Sequence, residues 1–187
     1  MKLSIVTTLY QSSPFIPEFV RRVSAEAKKI TGDYEIVMVD DGSPDNSLAQ
    51  ALALQSTDPH LRIIELSRNF GHHKAMMAGL EYASGDFVFL IDVDLEEPPE
   101  LLTWFYDELK AGNWDVVYGL QKERKGGLIK KIGGRFGWWL IKLLVSVDMP
   151  FNLCTVRLMR SSYVRQLIRH KEHMTAIGGL WVLTGFR

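Results

Sequence analysis

Cysteine is almost absent from this 187-residue chain, in which Cys154 is the single cysteine. One thiol cannot form an intrachain disulfide, and it cannot build a zinc site from cysteines. A small secreted scaffold held together by disulfides is therefore excluded, and a reducing compartment is the simplest interpretation. The length suits one domain with its own hydrophobic core.

Long hydrophobic runs are also missing. Residues 1–8 have too short an apolar run, and no small-residue cleavage site, for a signal peptide; they are typical of a β-strand. The most apolar later stretch, residues 136–147, is interrupted by Lys142. It falls short of the about 18 apolar residues that a transmembrane helix needs. The sequence therefore predicts no segment that spans a bilayer.

The glycine-rich phosphate loops G-x-G-x-x-G and G-x-x-x-x-G-K-[ST] do not occur. Their absence disfavours a dinucleotide-dependent dehydrogenase and a P-loop NTPase. Residues 10–14 also lack the Gly- and Lys-rich loop that a nucleotidyltransferase would need, although that class stays an alternative because it also uses acidic strand ends. A bound diphosphate would have to be held by a metal ion and basic side chains instead.

Net charge is absent overall, but the two signs are separated along the chain. Residues 1–118 carry 9 Lys and Arg against 19 Asp and Glu, a balance of −10. Residues 119–187 carry 13 against 3, a balance of +10. The acidic part suits a divalent cation, and the basic part suits phosphate groups or an anionic membrane surface. A chance gradient of solvated charges is the alternative.

Short apolar runs alternate with helical patterns through the first two thirds of the chain. This alternation predicts an α/β fold with a mostly parallel central sheet, flanked by helices in a single domain. The predicted strands are residues 3–8, 35–39, 62–66, 87–91 and 116–118, and the predicted helices are residues 15–30, 48–54, 74–83 and 98–110.

Carboxylates follow two of the predicted strands directly. Asp40 and Asp41 end the second strand, and Asp92, Asp94 and Glu96 follow the fourth. Ligands bind outside the carboxyl ends of the strands in such sheets, and hard oxygen ligands suit Mg²⁺ or Mn²⁺. We expect Asp40, Asp92 and Asp94 to converge around one cation. The alternatives are ordinary turns and an acidic helix start.

The order and spacing of five segments match a known family: residues 4–10, 39–45, 66–71, 92–100 and 156–160. The sequence resembles the family-2 inverting glycosyltransferases with the GT-A fold. It is especially similar to the polyprenyl-phosphate and lipopolysaccharide sugar transferases related to dolichyl-phosphate mannosyltransferase. The resemblance implies a metal-dependent enzyme that moves a sugar from a nucleoside-diphosphate sugar to a lipid-linked or glycan acceptor, with inversion.

The resemblance also implies roles for single residues. Asp40, with the chain near Thr8 and Tyr10, would hold the base and ribose, and the adjacent Asp41 is a candidate for the same contact. Three acidic residues would serve the rest of the nucleotide-sugar: Asp92 would contact the nucleotide, and Asp94, with Glu96, would bind Mg²⁺ or Mn²⁺ on the diphosphate. Relatives often have Gln at the position of Glu96.

Basic residues in the second part are candidates for phosphate or acceptor contacts. Arg124 follows the fifth strand, where a solvated loop charge is the alternative. Arg157 stands where many relatives carry Asp-Phe-Arg, but Thr155 replaces the acid and Val156 the aromatic residue. A phosphate acceptor would need no general base, whereas a sugar hydroxyl would need a carboxylate base. We assign no base, and we give His72 and His73, which open a helix, no catalytic role.

Residues 126–147 combine basic and aromatic side chains in the manner of a helix at a membrane surface: Lys131, Arg135, Trp138, Trp139 and Lys142. We therefore expect residues 1–118 to bind the nucleotide-sugar and residues 119–187 to face the acceptor and an anionic membrane, on its cytoplasmic side.

Relatives of the family usually continue further, so the chain is interpreted as a C-terminally truncated catalytic domain. No nucleic acid partner is expected, and a homo-oligomer is left open. A catalytically silent membrane-associated assembly module with the same fold is an alternative.

Overall fold

A computed structural model describes residues 1–120, 153–170 and 181. Strands and helices alternate along the first of these ranges, as the hydrophobic pattern predicts. The elements are β1 (Leu3–Leu9), α1 (Ile16–Ile30), β2 (Tyr34–Asp40), α2 (Ser47–Gln55), β3 (Leu61–Glu65), α3 (His72–Tyr82), β4 (Phe87–Leu90), α4 (Leu101–Gly112), β5 (Val116–Leu120), β6 (Leu153–Arg160) and α5 (Ser161–Leu167).

The strands form one six-stranded sheet in the order β3-β2-β1-β4-β6-β5. The pairs β1–β2, β2–β3 and β1–β4 are parallel. The pairs β4–β6 and β5–β6 are antiparallel. The prediction of a single α/β domain with a mostly parallel sheet is therefore confirmed. Strand β6 and helix α5 were not among the predicted elements.

The order of the strands reverses at the centre of the sheet. From β1 the chain builds outward through β2 to β3, and it then returns to place β4 on the other side of β1. Loops leaving β1 and β4 diverge at such a point, so a crevice opens between them at their carboxyl ends. The topology alone thus marks where a ligand can enter.

Both faces of the sheet are buried, which explains why its central strands are apolar throughout. Helices α1 and α4 pack on one face, where Phe19 and Phe105 meet Ile5 and Phe89 of the strands. Helix α3 packs with α5 on the opposite face, where Met76 and Val6 belong to the second core cluster. Because side chains alternate along a strand, Ile5 and Val6 point to different cores.

The helices of the described ranges include none that is both long enough and apolar enough to cross a membrane. Arg124 and the basic, aromatic segment 126–147 lie outside the described residues. The predictions made for them have no structural counterpart here.

Gly85 packs directly against the backbone of the sheet. A Cβ placed there would lie 2.6 Å from the backbone N of Ser4 and 2.7 Å from the backbone O of Phe87. Its own N–H donates to the Ser4 hydroxyl at 2.8 Å. A side chain would therefore push apart the starts of β1 and β4.

We expect Gly85→Ala to lower the free energy of unfolding by about 1–3 kcal/mol, because neither backbone strand can move without losing ladder hydrogen bonds. Gly32→Ala is the matched control, since a Cβ at Gly32 meets nothing within 4 Å. Urea unfolding of the two variants checks this. Equal stability of Gly85→Ala and Gly32→Ala would contradict the packing described here.

Candidate active site

A cavity of about 330 Å³ opens at the carboxyl ends of β1 and β4. Its position is the crevice that the reversal of strand order creates. Polar and aromatic side chains from the loops after both strands, and from the start of α3, surround it. The lining residues are Thr8, Tyr10, Gln11, Ser12, Phe15, His72, Asp92, Val93 and Asp94.

The strand register explains why Thr8 and Asp92 share this cavity. Leu90 of β4 pairs with Val6 of β1, and the N–H of Ile91 donates to the Val6 carbonyl at 3.1 Å. Two residues further along each parallel strand are Asp92 and Thr8. The sequence predicted Thr8, Tyr10, Asp92 and Asp94 as site residues, and the structure brings these four together.

Asp92 is the most interconnected carboxylate of the cavity. His72 Nε2 lies 3.3 Å from its Oδ1, and the Thr155 side chain donates a hydrogen bond to it. Burial raises the pKa of Asp92, and the charges of Asp94 and Glu96 add to this, while His72 and Thr155 act in the opposite direction. His72 and Thr155 thus hold the carboxylate in place, but they offset only part of the effect that burial and the neighbouring negative charges have on its pKa.

His72 is a site residue that the sequence interpretation left out. Its Nδ1 lies 3.0 Å from Thr8 Oγ1, so its ring bridges the ends of β1 and β4. The available signal was its position. His72 is the first residue of a helix that follows a parallel strand, which places it at the same sheet edge as the acidic clusters.

Asp94, which lines the cavity, and Glu96, two residues further along the chain, are both exposed. Asp94 Oδ1 accepts the backbone N–H of Glu96 at 3.0 Å. The residue between them, Leu95, has φ +62°, and Gln11 on the opposite rim has φ +53°. Left-handed backbone at residues other than glycine is uncommon and concentrates at functional sites.

Four carboxylates are crowded into residues 92–97. Burial raises the pKa of Glu97, and the neighbouring charges of Asp92, Asp94 and Glu96 raise it further. Like charges this close together repel one another. A bound cation would relieve this repulsion.

The expectation that Asp40, Asp92 and Asp94 surround one cation is wrong. The described part of the chain contains no group of three His, Cys, Asp or Glu side chains that could hold a metal ion. Asp40 pairs with Leu9 and Glu65 in the sheet, and it is not among the residues lining the cavity. Asp40 ends β2, and Asp92 follows β4. These two strands lie on opposite sides of β1, so they are about 10 Å apart by strand spacing.

Asp40 is nevertheless an unusual residue. It is 2% exposed, its Oδ2 accepts the Ser43 N–H at 3.2 Å, and its Oδ1 has no hydrogen-bond partner among the described residues. Burial raises its pKa, and the charges of Glu65 and Asp41 contribute to this, against two opposing backbone hydrogen bonds. A buried carboxylate oxygen without a partner is costly in a folded protein, so its presence here calls for an explanation.

Asp41 has a different environment, in which both oxygens are occupied. Oδ1 accepts the N–H of Phe70 at 2.7 Å, and Oδ2 accepts the N–H of Gly71 at 3.0 Å. Asp41 therefore holds the loop that precedes α3. Its predicted contact with a nucleotide-sugar stays a prediction.

Asp45 organises the opposite rim of the cavity. It accepts hydrogen bonds from the hydroxyls of Ser43 and Ser47 at 2.6 Å each, and from the N–H of Ser47 and Ser13. Burial acts against its charge, but these hydrogen bonds prevail and lower the pKa of Asp45 to about 2. The network fixes the loop after β1, which carries Tyr10.

Arg157 does not line this cavity. It is 1% exposed on β6, where its guanidinium donates to the carbonyls of Thr155 and Cys154 at 3.0 and 2.8 Å. Its Cζ lies 3.0 Å from the centre of the Trp181 ring. Burial is the main cause that lowers its pKa, to about 9. The predicted phosphate contact of Arg157 stays a prediction, as does that of Arg124.

The comparisons agree with this geometry. The family model "Glycosyl transferase family 2" matches residues 4–170, so the chain belongs to glycosyltransferase family 2. Its sheet and flanking helices match those of solved glycosyltransferases with the GT-A fold.

Two relatives and one solved structure illustrate the similarity. A Mycobacterium tuberculosis protein named as a glycosyltransferase is 53% identical over 186 residues, covering 100% of this chain and 54% of that protein. The undecaprenyl-phosphate 4-deoxy-4-formamido-L-arabinose transferase of Yersinia enterocolitica is 34% identical over 178 residues, covering 94% and 54%. A Pyrobaculum calidifontis mannosyltransferase in complex with GDP-Man and Mn²⁺ aligns with a TM-score of 0.64 at 18% identity, covering 88% and 46%. The chain spans about half the length of these relatives.

The raised pKa of Asp40 gives a prediction on stability. A carboxyl whose pKa is higher in the folded chain costs stability as pH rises from the usual Asp value through the folded one. We expect Asp40→Asn to unfold at higher urea concentration than wild type at pH 7, and the difference to shrink as pH falls toward 4. A constant difference across this range would show that the charge of Asp40 is not its cause.

Asp41→Asn should have the opposite effect. The amide nitrogen of Asn cannot accept an N–H, so one of the two backbone donors loses its partner, at a cost of about 1.5–3 kcal/mol. We expect faster hydrogen exchange at Phe70 and Gly71 in particular. Asp107→Asn, on the exposed side of α4, is the control. Unchanged exchange at both amides would contradict the anchoring role of Asp41.

Proposed function

We propose that the chain is the catalytic part of a metal-dependent inverting glycosyltransferase. It moves a sugar from a nucleoside-diphosphate sugar to a polyprenyl phosphate or another lipid-linked or glycan acceptor. The observation that carries the proposal is the cavity between β1 and β4, where Thr8, Tyr10, Asp92 and Asp94 meet. Family membership supports the reaction class, and the Yersinia relative's name supports the acceptor class.

The nucleoside binds on the β1 and β2 side of the cavity in this proposal. Tyr10 is 48% exposed and offers an aromatic face to a base. Asp40, which ends the neighbouring strand β2, is the proposed acceptor for a base N–H or a ribose hydroxyl. Asp92 contacts the nucleotide from the β4 side.

Asp94 and Glu96 are the proposed protein ligands of Mg²⁺ or Mn²⁺. Mg²⁺ is usually bound through one or two carboxylates, several waters and the phosphates of the substrate. Two exposed carboxylates in a crowded acidic segment beside the cavity fit that ligand set. A third protein ligand among the described residues is not required. When bound, the metal would neutralise charge on the departing nucleoside diphosphate. The neighbour solved with GDP-Man and Mn²⁺ supports this choice.

The acceptor attacks the anomeric carbon in line with the departing diphosphate, which inverts the configuration. The chain's contribution is to hold donor and acceptor in that geometry. A phosphate acceptor is already an anion and needs no base, whereas a hydroxyl acceptor would need one of the cavity carboxylates as base. Arg157 and Arg124 are the candidates for contacts with acceptor or donor phosphates.

The membrane location is part of the same proposal. Residues 119–187 carry the basic charge of the chain, and residues 126–147 add tryptophans, which suits an anionic lipid surface. A lipid-linked acceptor would be reached there, on the cytoplasmic face of the membrane, as a peripheral contact of this chain.

Asp94→Ala tests the donor and metal site. We expect it to weaken binding of UDP-GlcNAc or GDP-mannose in the presence of Mn²⁺ by at least about tenfold, since a charge-charge contact is lost. Glu96→Ala should cost less because Asp94 remains, and Asp107→Ala, remote from the cavity, should bind as wild type. Isothermal titration calorimetry with Mn²⁺ and with EDTA measures this. Donor binding that is independent of metal and of Asp94 would refute the metal-donor assignment.

Turnover separates an enzyme from a silent assembly module of the same fold. We expect slow, Mn²⁺-dependent release of nucleoside diphosphate from a nucleotide-sugar, by transfer to water in the absence of acceptor. Binding of anionic lipid vesicles without affinity for any nucleotide would favour the module instead. A panel of nucleotide-sugars, screened by thermal stabilisation with and without metal, identifies the donor to use.

A further inference from the structure

His72 joins three elements through its two ring nitrogens. Nδ1 lies 3.0 Å from Thr8 Oγ1 at the end of β1, and Nε2 lies 3.3 Å from Asp92 Oδ1 after β4. The ring itself belongs to the first turn of α3. The His72 and Asp92 side chains keep 45% and 27% of their surface exposed, so both are accessible from the cavity.

The partners determine which nitrogen carries the proton of the neutral ring. An ionised carboxylate only accepts hydrogen bonds, so Nε2 must be the N–H that faces Asp92. Nδ1 is then the acceptor, and the hydroxyl of Thr8 donates to it. The result is a directed chain from Thr8 through His72 to Asp92.

The backbone before α3 is built to hold His72 at this place. Gly71 has φ +97°, which side chains rarely adopt, and its N–H is bound by Asp41. Gly42 brings the loop after β2 against the same segment, because a Cβ there would lie 2.6 Å from the Asn69 N. The loop after β2 therefore fixes the start of α3.

Asp92 needs such support because it is partly buried among like charges. The carboxylates of Asp94 and Glu96 lie within four residues of it, and His72 Nε2 is 3.3 Å from its Oδ1. Thr155 donates to the same carboxylate from β6, which leaves part of its acceptor capacity for a ligand. His72 and Thr155 therefore approach the carboxylate from α3 and from β6.

We propose that His72 is a positioning residue of the nucleotide-sugar site, which aligns the Asp92 carboxylate for its contact with the nucleotide through the 3.3 Å contact between Nε2 and Oδ1. The inference rests on the proposed function, because the contact between Asp92 and the nucleotide is part of that function. His72 itself touches neither the metal nor the reacting atoms in this assignment.

Two substitutions separate the contact with Asp92 from the other features of the ring. The amide of His72→Gln reaches about as far as Nε2 and keeps a donor for Asp92. The shorter amide of His72→Asn stands near the position of Nδ1 and cannot reach Asp92. His73→Asn makes the same change one residue further along the helix and is the control for helix propensity.

Calorimetry with UDP, GDP, ADP, CDP and dTDP in the presence of Mn²⁺ measures affinity, and thermal unfolding checks the fold. For the nucleotide that wild type binds, we expect His72→Asn to bind about tenfold more weakly, as for loss of a hydrogen bond to a charged group. His72→Gln and His73→Asn should stay within about threefold of wild type. The melting temperatures should be alike, because His72 is half exposed.

Wild-type affinity in His72→Asn, or equal weakening in His72→Gln, would overturn the proposal. If wild type itself binds none of the five nucleotides, the proposed function fails instead. A long-range ¹H–¹⁵N spectrum of the wild-type histidines then still decides the hydrogen-bond assignment, with the signals of His72 identified by their loss in His72→Asn. The Nε2–H tautomer is expected. The Nδ1–H tautomer, or an average of the two, would refute it.

Discussion

The pairing of β1 with β2 on one side and β4 on the other is the constraint on which the site depends. Parallel pairing places the carboxyl ends of the three strands, at Leu9, Asp40 and Leu90, along the same edge of the sheet. The reversal of strand order at β1 then separates the loops and opens the cavity. No side chain in the site could meet its partner without this register.

The site combines features that cost stability with supports that hold them in place. Asp40 is buried with an unpartnered oxygen, Gln11 and Leu95 adopt left-handed backbone, and carboxylates crowd after β4. Buried hydrogen bonds from Asp41 and the Asp45 network fix the surrounding loops. Unfavourable groups persist in folded proteins where the structure around them is over-determined, and such places are usually functional.

Much of the fold followed from local pattern. Apolar β-branched runs predicted β1 to β5, and the alternation with helices predicted the parallel arrangement, because a sheet covered on both faces requires apolar strands. The local pattern did not predict β6, because this strand is antiparallel and comes after the basic segment. Its pairing with β4 is non-local, and it places Thr155 beside Asp92 and buries Arg157, neither of which spacing along the chain indicates.

The sequence by itself determined the family, the sheet and the identity of the acidic residues at the strand ends, because these depend on local pattern and on residues adjacent in the chain. Only the tertiary structure decided which carboxylates share a cavity. Strand order places β1 between Asp40 and Asp92. Asp41 accepts hydrogen bonds from the loop before α3, and His72 lies between Thr8 and Asp92. The physical reason is that strand order and register fix distances between residues remote in sequence, and neither is encoded in any single segment.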